Sequence, residues 1–260
     1  MCFIILSILA CEKSTDWKLT PNEETKLVVE AILTNENIIQ EIRLSQTYPN
    51  LNDAPPSIEN ASISVLANGV NYIFQTDSAG IYKSEIPFTV RPRINYELNI
   101  EWEGKNYNAT SQLSTVAPIP EITFDTLANA NQLTLSDFAP LYNPNQQAMY
   151  EVNVDWSHLN SADELTKAKF YLYTFKEVHL SALTSPEKEV ITFPKGSRVI
   201  IKKYGLNNDF AEYLRARAIE TEWKGAVFYS TSENLPSNLS NGALGFYSTC
   251  AVLADTLIAN

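Results

Sequence analysis

The most specific chemical context in this sequence belongs to Cys11. It follows ten mainly apolar residues, "MCFIILSILA", and precedes the polar run "EKSTDW". Ten apolar residues fall short of the roughly 20 needed to span a bilayer. They fit the apolar core of a signal peptide. Ile8-Leu9-Ala10-Cys11 follows the order of a bacterial lipobox: a branched apolar residue, a variable position, a small residue, then cysteine. The small residue suits a peptidase cleft, and the thiol is the group that accepts diacylglycerol. Leu9 is bulkier than usual there, and no Lys or Arg precedes the apolar run. An upstream start codon would supply the missing basic segment. The reading is residues 1–10 as signal peptide and Cys11 as the lipidated mature N-terminus.

Other chemistry-bearing residues are sparse. The two histidines, His158 and His179, have no second ligand at metal-binding spacing. No glycine-framed serine elbow, phosphate-binding loop, dinucleotide fingerprint or paired-histidine zinc helix occurs. Asp155-Trp156 has the composition of an acid beside a sugar-stacking platform, although Trp156 sits at a core position of an alternating run. Asn50-Leu51-Asn52-Asp53 offers oxygen ligands but lacks the glycine and terminal glutamate of a calcium loop. Cys250, in the apolar run "YSTCAVLA", reads as a buried inert thiol. The expectation is no catalytic residue, no metal and no cofactor.

The elements that would position these residues are mainly β. Residues 11–25 are polar and aperiodic, a tether. From 26 to 115 the chain alternates in short runs. "KLVVEAILT" is followed by "IIQEIRLSQT", with Ile38, Ile42 and Leu44 on one face. Asn68-Gly69 marks a hairpin, "TDSAG" a second turn and Glu103-Gly104-Lys105 a third. Ile94, Tyr96, Leu98, Ile100 and Trp102 share one face. This pattern predicts an antiparallel β-sandwich. "VAPIPEI" (116–122) is a stiff connector, and residues 123–260 form a second, mostly-β domain. That half contains strands near 148–157, 168–180 and 197–205, and a final strand from about Ala243. It holds one short helix at about 209–220, where Asp209 and Glu212 have capping-box spacing and Phe210, Tyr213, Leu214 and Arg217 share a face.

The chain has 260 residues, 45% of them hydrophobic, enough for a sizeable core. Its formal net charge of −11 argues against nucleic-acid partners, which need a basic footprint. The segment "PSNLSNGALGFYS" (236–248) stands out. Gly242 and Gly245 permit positive φ or close backbone approach, and Asn238 and Asn241 bond readily to backbone. It reads as a loop pinned to the body, with ligand binding as the secondary role.

Several stretches coincide in order. "CEK" is followed by "KLVVEAILTN", "SQTYPN…PP…ENASISVLANG", "YELNIEWEGKNYNATSQLSTVAPIP", "EYLRARA" and the closing segment. Together they resemble a Bacteroidota lipoprotein family, domain of unknown function 4249. Pro236, Asn238, Leu239, Gly242, Gly245 and Phe246 match that family's closing signature, and Asn241 stands where a glycine is usual. The resemblance implies an N-terminal immunoglobulin- or transthyretin-like sandwich and a second mostly-β domain. It also implies a lipid anchor in the outer membrane, and genes neighbouring TonB-dependent transporters. It carries no catalytic residues. In Bacteroidota, Asp-Ser/Thr-apolar triplets accept O-linked sugars, which nominates Ser78, Thr126 and Thr256. Asn60, Asn108 and Asn238 head Asn-x-Ser/Thr sequons of little meaning in a bacterium.

The leading expectation is therefore a non-enzymatic lipoprotein acting as accessory or cargo-handling partner of a TonB-dependent transporter, on either face of the outer membrane. The alternative is a glycan- or peptide-binding module using exposed aromatics such as Tyr48, Trp156 or Tyr247. A hydrolase is the third.

Overall fold

The computed structural model describes residues 25–48, 54–127, 131–159, 165–177, 190–221 and 235–260. The fold is mainly β, with a single helix among these residues. Strands β1 (Leu27–Thr34), β2 (Glu41–Gln46), β3 (Ser62–Ala67), β4 (Val70–Ser78), β5 (Ile81–Ser84), β6 (Asn95–Trp102) and β7 (Lys105–Gln112) build the first sheet. Alternation dictates their faces. In β6, Tyr96, Leu98, Ile100 and Trp102 are buried and the residues between them exposed. Each such aliphatic side chain contributes roughly 1.5–3 kcal/mol by leaving water. The hairpin turns have the predicted chemistry. Asn68 and Gly69 adopt φ of 49° and 78°, and Glu103 and Gly104 adopt 48° and 72°. Two successive positive values define the type I′ turn, whose twist matches the strands it joins.

One member of this sheet comes from far along the chain. The sheet order is β14-β1-β2-β5-β4-β3-β6-β7, with β14 spanning Leu244–Cys250. β14 lies parallel to β1, from Val28 opposite Leu244 to Thr34 opposite Cys250, whereas the other pairs are antiparallel. The two ends of the sheet then meet. Ser114 N donates to Thr249 O (3.3 Å), Ala251 N donates to Ser114 O (3.0 Å), and Ser111 Oγ lies 3.0 Å from Thr249 Oγ1. The sheet thus folds over on itself around one core.

The remaining strands form two smaller sheets. β10 (Ala148–Asp155), β11 (Lys167–Thr174), β13 (Arg198–Gly205) and β15 (Val252–Ile258) pair antiparallel in the order β11-β10-β13-β15. β8 (Phe124–Thr126), β9 (Gln132–Leu135) and β12 (Thr192–Pro194) pair in the order β12-β9-β8. Tyr150, Val152, Val154, Trp156, Val199 and Ile201 pack with Leu133 and Phe193 in one cluster between these layers. The helix α1 (Asn208–Thr221) lays Phe210 and Tyr213 against Phe246 of β14, with ring centroids 5.1 Å apart in both pairs.

Several expectations need correction. The final strand is two strands. It leaves the first sheet at Cys250 and enters the four-stranded sheet at Val252, so the segment assigned to the second domain completes the first sheet. The helix cap is Asn207, whose Oδ1 accepts from Phe210 N at 2.7 Å, rather than Asp209. Ile38, which alternation placed on one face with Ile42 and Leu44, precedes β2 and is exposed, while Gln40, of the same parity, is buried.

Candidate recognition surfaces

The closing segment is tied to the body at almost every polar position. Asn241 and Gly242 take φ of 55° and 73°, so asparagine does hold the left-handed turn. Ser240 N donates to Asn108 O (2.9 Å), Asn108 N to Ser240 Oγ (2.8 Å), and Asn241 Nδ2 to Asn106 O (2.5 Å). Together they prolong the sheet past β7. The Asn238 amide bridges Tyr247 at both backbone groups: its Nδ2 donates to Tyr247 O (2.7 Å), and its Oδ1 accepts from Tyr247 N (3.1 Å). A Cβ on Gly245 (φ 85°) would fall 2.0 Å from Val29 O, which is why β14 can lie against β1 only with glycine there. Phe246 then faces α1 while Tyr247 faces the first core, fully buried. These residues are brought together as a structural clip.

Of the aromatics proposed as contacts, Trp156 and Tyr247 are buried, and Tyr48 is 39% exposed. Asp155 and Trp156 cannot act together as acid and platform, because neighbours on an extended chain point to opposite faces. Asp155 points outward. Its carboxylate accepts from Ser157 Oγ (2.6 Å) and Ser157 N (2.9 Å), with Arg198 Nη2 at 3.4 Å and Lys167 Nζ at 3.7 Å. The Ser157 hydrogen bonds, then the two cations, hold its acidity at about 2. Such a group is a permanent anion, the reverse of a general acid.

His158 Nε2 lies 3.0 Å from Gly196 O on the surface. His179, the Asn50–Asp53 run and Cys11 lie outside the described residues. Among the described residues no group of three or more His, Cys, Asp or Glu side chains is placed to hold a metal ion. Cys250 is fully buried, and burial pushes its thiol up to about 12. Ser78, Thr126 and Thr256 are all exposed at strand positions.

Two outward sheet faces remain, and the sequence reading singled out neither. On the four-stranded sheet the register aligns Asp155 with Lys167 and Arg198, and Asn153 with Lys169 and Ile200. Lys169 meets Glu151 at 3.3 Å, and Lys202 meets Glu36 at 3.0 Å, so the cations of this face are answered by acids. On the first sheet, Ser64, Asn99 and Asn108 form one row, with Ser62, Glu101 and Asn106 in the next. These polar side chains, the Glu101 carboxylate among them, line with Gln75 and Ile73 an open trough of about 650 Å³. Strand parity could have found both faces, since the outward strand residues alternate with inward ones.

A family model described as a domain of unknown function, DUF4249, matches residues 12–255. The chain belongs to this family. No curated protein matches this DUF4249 chain. Among solved structures, a two-domain fibronectin type III segment of chicken tenascin is similar at 11% identity and a TM-score of 0.21. The match covers 71% of the DUF4249 chain and 93% of the tenascin segment, and so loose a superposition carries no argument.

Proposed function

We propose that this protein is a non-enzymatic lipoprotein of the outer membrane, anchored through Cys11, that serves as accessory to a TonB-dependent transporter. The observation that carries the reading is the succession Ile8-Leu9-Ala10-Cys11, polar residues 12–25, and then a β body whose closing segment is bonded into its own sheet. A lipid at Cys11 would hold the body at a membrane through a short polar leash, an arrangement suited to docking. Two acyl chains anchor far more firmly than one. Affinity purification from native membranes, with the anchor intact, is expected to recover a TonB-dependent barrel. Recovery without any such barrel would overturn the reading. Labelled palmitate should enter the wild-type chain and be absent from Cys11→Ser, and protease treatment of intact cells reports which face the body occupies.

A second reading, as a module that binds glycans, draws on the trough over Ser62, Ser64, Asn99, Glu101, Asn106 and Asn108. Amides and hydroxyls on a rigid sheet suit hydroxyl-rich ligands. Isothermal titration with neutral oligosaccharides should lose its signal in Asn99→Leu/Asn108→Leu. Equal heats from both proteins would remove this reading.

A further inference from the structure

The trough on the outward face of β3, β4, β6 and β7 has a shape that follows from side-chain size. Register sets Ile73, Ser64, Asn99 and Asn108 in one row across these strands, and Ser62, Glu101 and Asn106 in the next. The two serines of β3 are short and stand between longer neighbours on β4 and β6. The depression therefore runs along β3, and its volume of about 650 Å³ is that of a small-ligand site. Leu66, the next outward residue of β3, is 38% exposed and bounds it at one end.

One wall is held in place before any ligand arrives. The closing segment bonds to the backbone of both asparagines of β7, through Ser240 on Asn108 and the Asn241 amide on Asn106 O. A wall ordered in advance loses little entropy on binding.

The charge of this face has one sign. Glu101 is the charged side chain of the trough, and among the described residues no cation or hydrogen-bond donor meets its carboxylate. Glu97, two outward positions along β6, is also exposed. The basic residues of the first sheet lie elsewhere. Lys83 on β5 is three strands from Glu101, about 14 Å at the strand spacing, and meets Asp77 at 2.8 Å. Arg43 on β2 meets Glu41 at 2.9 Å. Lys105 is in register with the core residue Trp102, on the opposite parity. Arg91 and Arg93 precede β6, whose run from Asn95 to Glu101 spans about 20 Å.

A matching ligand is dense in hydroxyls and carries a positive charge. Serine hydroxyls and asparagine amides donate and accept, as sugar hydroxyls do. A hydrogen bond from an ammonium to a carboxylate is roughly twice as strong as a neutral one. An extended basic peptide would want an open strand edge for its backbone, whereas β3, β4 and β6 have strand neighbours on both sides.

We propose that the trough binds an oligosaccharide of amino sugars, with an ammonium group on the Glu101 carboxylate and ring hydroxyls on Ser64, Asn99 and Asn108. This rests on the glycan reading above and names its ligand class. The test is isothermal titration of the full chain with the glucosamine trisaccharide and with its fully N-acetylated counterpart, at about pH 5.5 to keep amines charged. Wild type should bind the free-amine sugar at least ~10-fold tighter, an advantage that shrinks with added salt. Glu101→Gln should bring the two sugars to equal affinity, with binding of the N-acetylated form and the urea midpoint both retained. Equal affinities in wild type, or a preference that survives Glu101→Gln, would overturn this inference and leave the glycan reading standing. Displacement of the free-amine sugar by an equal concentration of trilysine would also overturn it, because the site would then read charge alone. No heat from either sugar would remove both.

Discussion

Replacing Lys203 by methionine tests whether a charge is held in the interior of this protein. Lys203 is fully buried on β13, on the same face as Val199 and Ile201. Its ammonium donates to Pro118 O (2.8 Å) and Gln146 Oε1 (3.0 Å), and lies 5.3 Å from the ring centroid of Tyr150. No carboxylate among the described residues pairs with it. Stripping water from an ammonium costs several kcal/mol. Two charge-assisted bonds return about 1.5–3 kcal/mol each, and the ring about 1–2 kcal/mol. The opposing terms nearly cancel, so Lys203→Met is expected within about 2 kcal/mol of wild type at pH 7. The sharper quantity is the coupling. Gln146→Leu leaves the ammonium one acceptor short and should cost about 1.5–3 kcal/mol, but almost nothing once Lys203 is methionine.

The same lysine sets a pH dependence. Burial lowers its proton affinity in the folded chain, whereas the unfolded lysine titrates near about 10.4. Between the two values the unfolded chain binds more protons, so folding gains as pH rises. The penalty is complete below the folded value and vanishes above the unfolded one. Urea unfolding of wild type, Lys203→Met, Gln146→Leu and the double variant, from pH 7 to 10.5, should show wild type gaining on Lys203→Met. The slope is at most about 1.4 kcal/mol per pH unit. Parallel curves, or a coupling below about 0.5 kcal/mol, would refute the reasoning.

Other substitutions probe separate features. Gly245→Ala forces a Cβ onto the Val29 carbonyl at positive φ and should cost about 3 kcal/mol or more, while Gly242→Ala, with nothing within 4 Å, costs only its backbone strain of about 1–2 kcal/mol; urea midpoints separate them. Asn207→Ala should lose about 1 kcal/mol through the α1 cap, and Asp209→Ala much less, by thermal unfolding. Asp155 is held at about 2 by Ser157, Lys167 and Arg198, below the unfolded carboxylate near about 3.9. Its stabilisation is present above that value and is lost as pH falls through about 2, so the gap between wild type and Asp155→Asn should close over that window in acid unfolding.

What was legible in the sequence was whatever depends on near neighbours. The β6–β7 hairpin follows from period-two burial and Glu103-Gly104, and α1 from its apolar face. The cap moved two residues because Asn207 and Asp209 are both competent and only the path of the incoming chain selects between them. β8, β9 and β12 have three or four residues each, too few for a period to show. In "VIIKKYG" one of two lysines must face the core. Parity with Val199 and Ile201 points to Lys203, but only a neighbouring carbonyl and amide make that placement tolerable. The glycan reading leaned on Trp156 and Tyr247, whose bulk the two cores absorb.

The passage of one extended stretch from the first sheet to the four-stranded sheet has a consequence for how this protein is made. Asn35 Oδ1 accepts from Val252 N, 217 positions away, and β1 has β14 as one of its two neighbours. Contacts so remote slow folding, because a long loop must close before they form. A chain emerging N-terminus first would present β1 with an open edge until β14 arrives. Such an edge is a template for pairing with other chains. Completion of the first sheet therefore has to await β14, and until then the open edge of β1 is a site where other copies of the chain could pair.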